Sequence, residues 1–458
     1  MLIMKFGGAS LADSENFNNV IDWILQQQEA VVVVSAMKNV TNELMRCLNL
    51  AQHGKYEEVS ECLNLLRDRH SQVIKNLIKE CESLNLEIST LFIEARTLLH
   101  GVSSLQEITP RAHDRLLSLG EKLSARILAA ALENRLKKAQ VVDGEKVLMT
   151  DDRFTNAYPQ YGESKALSNQ VIKPLLDKGI IPIVAGFTGA TSEGLTTTLG
   201  RGGTDLTASM LARCLGAQEC WFLKEVDGIM TTDPRIVQQA HSITEMTYRE
   251  VAELSFFGAK VLHPIAIHPL KVAKIPARIL NVYKHDFRGT LIKTELADTT
   301  NRGRALSCLS DVGLITIEGD GMQGVVGLAS RVFKAVAKSD TNILMISQSS
   351  SEQNICLVVQ GDQSKKVTKA LENELELELV KGLVDKIKLE KNYSIVSLVG
   401  EGMAGFPGIS GRLFSILGEA GINVKMIAQG SSEVNISFMI PNEKVSQAMV
   451  QIHQGLRL

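Results

Sequence analysis

The apolar positions change period twice within the first 40 residues. Leu2–Phe6 is a short apolar run, and Gly7-Gly8 interrupt it. Phe17, Val20, Ile21, Ile24 and Leu25 then recur at the spacing of one helical face. Ala30–Val34 follows as an unbroken apolar, largely β-branched stretch, the pattern of a strand covered on both sides. This strand–turn–helix–strand opening predicts a parallel sheet flanked by helices. Residues 42–140 are helical in pattern and poor in Gly and Pro, which predicts several amphipathic helices with breaks near Gly101 and Pro110. Strands are predicted over 140–142 and 180–185. A Gly- and Thr-rich stretch over 186–203 comes next, then a helix over 205–215 and a strand over 219–223.

Residues 296–304 are polar and turn-rich and mark a boundary. Beyond them the chain repeats itself with an offset of 81 residues and no gap. Gly321-Met322-x-Gly324 recurs as Gly402-Met403-x-Gly405, Arg331 as Arg412, Asn342 as Asn423, Gln348 as Gln429 and Asn354-Ile355 as Asn435-Ile436. Each copy reads strand, glycine turn, helix, strand, turn, strand, helix. In the first copy the strands are predicted over 312–317, 343–347 and 355–359, and the helices over 329–338 and from Ser364. That order suits a small α+β sandwich with its helices on one face of an antiparallel sheet. Leu458 directly follows the last helix of the second copy, so this copy is expected to share a strand with the first. The domains expected are 1–296, 305–390 and 391–458.

A length of 458 residues predicts two to four domains. A formal net charge of −2 gives no electrostatic case for nucleic acid or for an anionic membrane. No stretch approaches the roughly 20 apolar residues of a membrane helix, and the apolar run over residues 1–6 is too short for a signal peptide. Seven scattered cysteines without a C-x-x-C pair predict free thiols and a cytoplasmic location rather than disulfides or zinc.

Two glycine-bearing segments stand where a strand hands over to a helix. Lys5-Phe6-Gly7-Gly8 can bring backbone N–H groups to an anion, with a lysine beside it to neutralise phosphoryl oxygens. A plain strand-to-helix turn explains the same residues. Gly200-Arg201-Gly202-Gly203-Thr204-Asp205 adds an arginine able to hold a carboxylate through two parallel hydrogen bonds. Its aspartate can orient a lysine or a metal ion. The competing reading is a surface loop with a chance ion pair, and two such loops in one chain favour function.

Taken in order, these segments resemble the aspartokinases. Ser35-Ala36-Met37, Leu119-Gly120-Glu121, Val226-Asp227-Gly228, Thr232-Asp233-Pro234-Arg235 and Phe257-Gly258-Ala259-Lys260-Val261-Leu262-His263-Pro264 belong to the same resemblance. The tandem repeat is similar to the paired ACT domains of that family, so the resemblance runs the length of the chain. It implies an α/β amino-acid-kinase fold, an open and mainly parallel sheet between helices, followed by two ferredoxin-like α+β ACT domains. The activity implied is transfer of the ATP γ-phosphate, with Mg²⁺, to the β-carboxylate of L-aspartate, the first step of lysine, threonine and methionine synthesis. An acceptor carboxylate is already ionised at pH 7, so positioning and charge neutralisation are what remain for the protein to supply.

By the same resemblance, Lys5 and Asp205 are catalytic, and Ser35, Thr41, Glu121 and Arg201 bind substrate. Glu121 takes the ammonium and Arg201 a carboxylate. Lys5, Gly7, Gly8, Lys224, Glu225, Arg235 and Lys260 line the nucleotide, and no protein metal site is implied. The effector residues implied are Met322, Gln323, Gly324, Val325, Asn342, Ile343 and Gln348, with Gln429 from the second copy. The effector is threonine or lysine, and the ACT domains join a homodimer or larger homo-oligomer. A purely structural pairing module is the alternative for this half.

Bland readings compete at single residues. Glu121 could form a surface ion pair with Arg115, Lys122 or Arg126, and Lys260 could be solvated. His263 and His268 read as structural, with Pro264 breaking any helix that would align them as a metal pair. Three positions depart from the family: Ala9 where Thr or Ser is usual, Lys224-Glu225 where Thr-Asp or Lys-Asp is usual, and Met230 where an aromatic residue is common. A kinase for glutamate or carbamate and a catalytically silent amino-acid-binding regulatory subunit are the competing functions.

Overall fold

The computed structural model describes residues 1–79, 82–259, 262–296, 303–349 and 353–458. The chain folds into two compact units. One comprises Met1–Ile229, Ser242–Tyr248 and Val261–Leu296; the other comprises Met230–His241, Arg249–Lys260 and Ala297–Leu458.

The first unit contains strands β1 (Leu2–Phe6), β2 (Ala30–Val34), β3 (Ala139–Val142), β4 (Ile181–Ala185), β5 (Thr188–Ala190), β6 (Thr196–Thr198), β7 (Glu219–Lys224), β8 (Glu245–Thr247), β9 (Ala277–Asn281) and β10 (Thr290–Lys293). Eight of them form one sheet in the order β3-β4-β2-β1-β7-β9-β10-β8, and β5 and β6 form a separate hairpin. The sheet is parallel except between β9 and β10. Helices α1 (Ser14–Leu25), α2 (Val40–Gln52), α3 (Tyr56–Leu77), α4 (Glu82–Leu105), α5 (Pro110–Asn134), α6 (Tyr161–Asp177) and α7 (Gly203–Leu215) belong to this unit, as does α9 (Pro264–Ala273), whereas α8 (Tyr248–Phe256) falls, after its first residue, in the second unit.

Every residue of β2 is buried, as its apolar run predicts. Met4, Phe6, Val32 and Val34 share one core with Phe17, Val20 and Ile24 of α1 and with the buried faces of α2 to α5. Alternation along a strand sends Ile3, Val31 and Val33 to the opposite face of the sheet.

Two expected breaks resolve differently. Gly101 lies inside α4 and interrupts nothing, because a single glycine costs a helix only about 1 kcal/mol. Pro110 opens α5 behind the Thr109 cap, whose side chain accepts from Ala112 N. Pro264 likewise begins α9 instead of breaking a helix, with His263 as its cap.

The second unit is organised by two strands of 14 residues, β11 (Ala305–Glu318) and β14 (Lys386–Val399). With β12 (Met345–Gln348), β13 (Asn354–Gln360), β15 (Met426–Gln429) and β16 (Asn435–Pro441) they form an antiparallel sheet in the order β12-β13-β11-β14-β16-β15. Helices α10 (Leu328–Lys338), α11 (Ser364–Glu374), α12 (Glu376–Val380), α13 (Ile409–Glu419) and α14 (Val445–Leu456) accompany it. The front half of β11, through Leu309, pairs with Ile395–Val399, while Val312–Glu318 pairs with residues 386–393. Each long strand therefore gives its first half to the other copy, and the copies interlock. The 81-residue offset is visible in the backbone: φ is 89° at Gly327 and 92° at Gly408.

Candidate active site

Lys5 and Lys224 emerge at the same end of neighbouring parallel strands, since Lys5 pairs with Phe222 in the β1–β7 register. Between them stands Asp205, in the first turn of α7. Lys5 Nζ lies 2.5 Å from Asp205 Oδ1, and Lys224 Nζ lies 3.2 Å from Oδ2. Burial raises the Asp205 carboxyl, and the two ammonium groups outweigh it and hold it at about 2. Burial lowers Lys224, with Asp205 opposing the shift. The trio is a rigid array with a net charge of +1, suited to developing negative charge on a phosphoryl group.

The Lys5 strand runs straight into Gly7-Gly8. A Cβ on Gly8 would stand 2.7 Å from the Ala36 carbonyl oxygen, so only glycine lets this turn lie against the turn after β2. Arg69 of α3 stitches the same two turns together, donating to the carbonyls of Lys38 at 2.6 Å and Ala12 at 2.9 Å. A Cβ on Gly7 would lie 3.6 Å from Lys5 Nζ, so this turn runs beside the lysine's ammonium group, although neither glycine lines the cavity that Lys5 lines.

Glu121 is no surface residue. It is 2% exposed, and Lys122, Arg126 and Arg115, its imagined partners, pair instead with Glu145, with Asp143 and Glu87, and with Glu94. The preceding Gly120 allows the close approach: a Cβ there would meet the Ala36 Cβ at 2.8 Å. Helix α5 can thus press on the Ser35–Ala36 turn and deliver the carboxylate beside Ser35, whose hydroxyl lies 3.5 Å from Oε1. The other oxygen, Oε2, has no hydrogen-bond partner among the described residues. Burial raises the carboxyl to about 8, against the backbone N–H of Ala36, its own N–H, the Ser35 hydroxyl and the Lys5 charge. A buried carboxylate with an open oxygen suits a cationic ligand group.

Arg201 is exposed on its loop between Gly200 and Gly202, both at positive φ (68° and 79°). Its guanidinium has no ion-pair partner among the described residues, and it is available for an anion. Lys5, Ser35, Thr41, Glu121, Phe187, Gly200, Arg201 and Asp205 line one cavity of about 230 Å³. It therefore gathers residues between 5 and 205 that were assigned separately to substrate and phosphate. Phe187, with φ 68°, belongs to the wall, and nothing in its sequence surroundings singles it out.

The other sequence candidates lie elsewhere or outside the described residues. Glu225 follows Lys224 at the surface, where Tyr283 Oη donates to it over 3.4 Å. Arg235 belongs to the other compact unit and forks onto Asp233, with Nη2 at 2.6 Å from Oδ2. Lys260 lies outside the described residues. Among the effector candidates, Met322 packs into the core of the first repeat, its N–H donating to Gly319 O at 3.2 Å and its carbonyl accepting from Val325 N at 3.1 Å, while Gln323, Gly324, Val325, Asn342, Gln348 and Gln429 are exposed and Ile343 is half-buried. Gln348 and Gln429 end β12 and β15, the two edges of the six-stranded sheet. Among the described residues no group of three or more His, Cys, Asp or Glu is arranged to hold a metal ion, and no helix is long and apolar enough to cross a membrane.

The amino acid kinase family model matches residues 1–281, and an ACT-domain model matches 315–375 and again 396–456. The chain is 34% identical to aspartokinase 1, chloroplastic, of Arabidopsis thaliana over 98% of this chain and 79% of that protein. It is 33% identical to the bifunctional aspartokinase/homoserine dehydrogenase of Haemophilus influenzae over 100% of this chain, but spans only 56% of that relative. The crystal structure of E. coli aspartokinase III with aspartate and ADP matches with a TM-score of 0.84 at 29% identity, over 100% of both chains. The lysine and aspartate complex of the same E. coli enzyme matches with a TM-score of 0.82 at 30% identity, covering 100% of this chain and 99% of that one.

Proposed function

We propose a reaction from one premise: the chain belongs to the amino acid kinase family and, within it, to the aspartokinases. It transfers the γ-phosphate of ATP to the β-carboxylate of L-aspartate, giving 4-phospho-L-aspartate. The observation that carries this reading is the cavity in which an open acid, an unpaired arginine and the Lys5–Asp205 pair converge, with Lys224 holding the other oxygen of Asp205.

In this reading Glu121 receives the substrate ammonium and Arg201 a substrate carboxylate. Ser35 and Thr41 border the same space. The acceptor carboxylate needs no general base, and the protein's task is to hold it against the γ-phosphate. Gly7 and Gly8 supply the phosphate cradle, Lys5 and Lys224 neutralise transferring charge, and Asp205 keeps both ammonium groups in place. Glu225 is proposed to border the nucleotide, while Arg235 and Lys260 are assigned to it by the resemblance alone. Mg²⁺ supplies further neutralisation when bound; the Asp205 carboxylate is engaged by two lysines, which favours a metal carried on the ATP phosphates.

The regulatory assignment rests on the repeat. Residues 1–296 form the proposed catalytic domain, and 305–390 and 391–458 the proposed ACT domains, with the exchange of strand halves binding the last two together. Threonine is the first effector candidate and lysine, seen with the E. coli relative, the second. The sheet edges β12 and β15 support pairing into a homodimer or larger homo-oligomer. The buried free cysteines support a cytoplasmic location.

The test is ADP release with ATP, Mg²⁺ and L-aspartate, alone and with threonine, lysine or both. Aspartate-dependent turnover inhibited by one of them is the expected result. Phosphorylation of glutamate but not aspartate sinks the reading, and absence of all turnover transfers weight to a silent regulatory subunit. Two variants refine it. Arg201→Ala raises the aspartate KM about 100-fold with the ATP KM nearly unchanged, because a charge-assisted hydrogen-bonding partner is lost; equal effects on both substrates would remove Arg201 from the aspartate side. Gln348→Ala weakens effector inhibition about tenfold at unchanged basal rate, read from inhibition curves. Loss of basal rate points to a structural role for Gln348.

A further inference from the structure

Asp114 has no part in the reaction as described, yet it is fully buried, at 0% exposure in α5. A buried carboxylate is tolerated only when it is thoroughly hydrogen-bonded. Its Oδ1 accepts from the Thr198 hydroxyl at 2.7 Å and meets His113 Nδ1 at 2.9 Å. Its Oδ2 accepts from two backbone N–H groups, those of Thr155 and Thr198, both at 2.8 Å. Thr198 ends β6, three residues before Arg201. Thr155 is a β-branched residue at φ 70°, a left-handed conformation that persists only where surroundings enforce it. Its carbonyl oxygen and the Oδ1 of the next residue, Asn156, stand 3.2 and 2.6 Å from where a Cβ on Gly200 would lie. One carboxylate therefore grips both stretches of chain that shape the start of the Arg201 loop.

The same helix carries the other recognition group. Glu121 follows Asp114 by seven residues, two turns along one face of α5. Lys122 reinforces the arrangement: its Nζ is 2.6 Å from Glu145 Oε1, which in turn accepts from the Thr196 hydroxyl at 3.1 Å. Threonines 196 and 198 thus face α5, while Thr197 points the other way to share a hydrogen bond of 2.7 Å with Thr150.

We propose that Asp114 is the positioning residue for Arg201: it hangs the arginine loop on α5, so that one rigid helix sets the separation between the group that takes the substrate ammonium and the group that takes a substrate carboxylate. The inference rests on the aspartate-kinase reading for its substrate and on the hydrogen bonds alone for its mechanics.

Asp114→Asn tests it. Asparagine keeps the shape but turns an NH₂ toward groups that are themselves donors. The expected result is an aspartate KM raised about 10- to 100-fold with the ATP KM within about twofold, since a small misplacement of a binding group carries that cost. Thr198→Val removes only the hydroxyl link and raises the aspartate KM severalfold, which keeps the test alive where Asp114→Asn folds poorly. In an Arg201→Ala background Asp114→Asn adds little, because both act through one group. Hydrogen exchange of backbone amides over 196–203 quickens in Asp114→Asn while that of β1 and α1 does not. Parallel rises in both KM values, an unchanged aspartate KM, full multiplication with Arg201→Ala, or unchanged exchange over 196–203 each overturn the assignment. If the unsubstituted enzyme makes no acyl phosphate from aspartate, the reaction is what fails, and the exchange measurement still decides the anchor.

Discussion

Lys5→Ala lowers kcat about 1000-fold and leaves the aspartate KM within about threefold of the unsubstituted enzyme, because the lysine acts on charge that develops at the transferring phosphoryl group. Lys5 is 7% exposed and locked on Asp205 at 2.5 Å, so it is already in place before ATP arrives and loses little on ordering. The substitution also leaves Asp205 buried with Lys224 as its one remaining cation at 3.2 Å. Removing one partner of a buried pair typically costs about 3–5 kcal/mol, so the variant also melts lower. Steady-state kinetics on both substrates, with thermal unfolding alongside, separates the two effects. Full activity in Lys5→Ala would falsify the phosphate-loop assignment.

The second large effect concerns Glu121, whose carboxyl is held at about 8 by burial. In the empty site at pH 7 it carries its proton, and an incoming ammonium must displace that proton to form the ion pair. Aspartate affinity therefore climbs about tenfold per pH unit as pH rises toward 8 and levels off above it. Binding below pH 8 releases a proton, measurable as a buffer-dependent heat in calorimetry. Glu121→Gln keeps the shape and loses the charge; it raises the aspartate KM about 100-fold and flattens its pH dependence. Stability moves the opposite way. The folded state keeps the proton up to about pH 8, while the unfolded chain gives it up near the ordinary value of 4.5. The unliganded protein consequently loses stability as pH rises between those values, at about 1.4 kcal/mol for each pH unit, and Glu121→Gln escapes that loss of a few kcal/mol. A variant both less active and more heat-stable at pH 8 is the signature of a residue kept for function. An unaltered pH profile would exclude Glu121 as the ammonium acceptor.

Both effects depend on the fold, much of which is legible in the sequence. The burial of Ala30–Val34, the opening β1–α1–β2 unit and the helix over α7 follow from apolar periodicity. The 81-residue repeat was equally legible, and Gly327 and Gly408 share their backbone conformation because the same turn is built twice. The hairpin of β5 and β6 was not legible: Thr-Thr-Thr carries no apolar alternation, and these residues are buried through hydrogen bonds to Asp114, Glu145 and Thr150 from distant segments. Gly101 misled because a lone glycine weakens a helix without ending one whose other turns are well packed.

At the site, local sequence determined which residue types are present and in what order: a lysine before a glycine turn, an arginine between glycines, a glutamate in a helix, an amide at each of two matching strand ends. Those are properties of neighbouring residues, and periodicity and turn chemistry express them directly. Tertiary structure alone decided what each group is worth. It set Asp205 between two lysines 200 and 19 residues away, buried Glu121 with one oxygen open while its near neighbours paired elsewhere, hung the Arg201 loop on Asp114, and exchanged the halves of β11 and β14. Charge, burial and register between remote segments depend on how the sheet orders its strands, and no window of sequence contains that order.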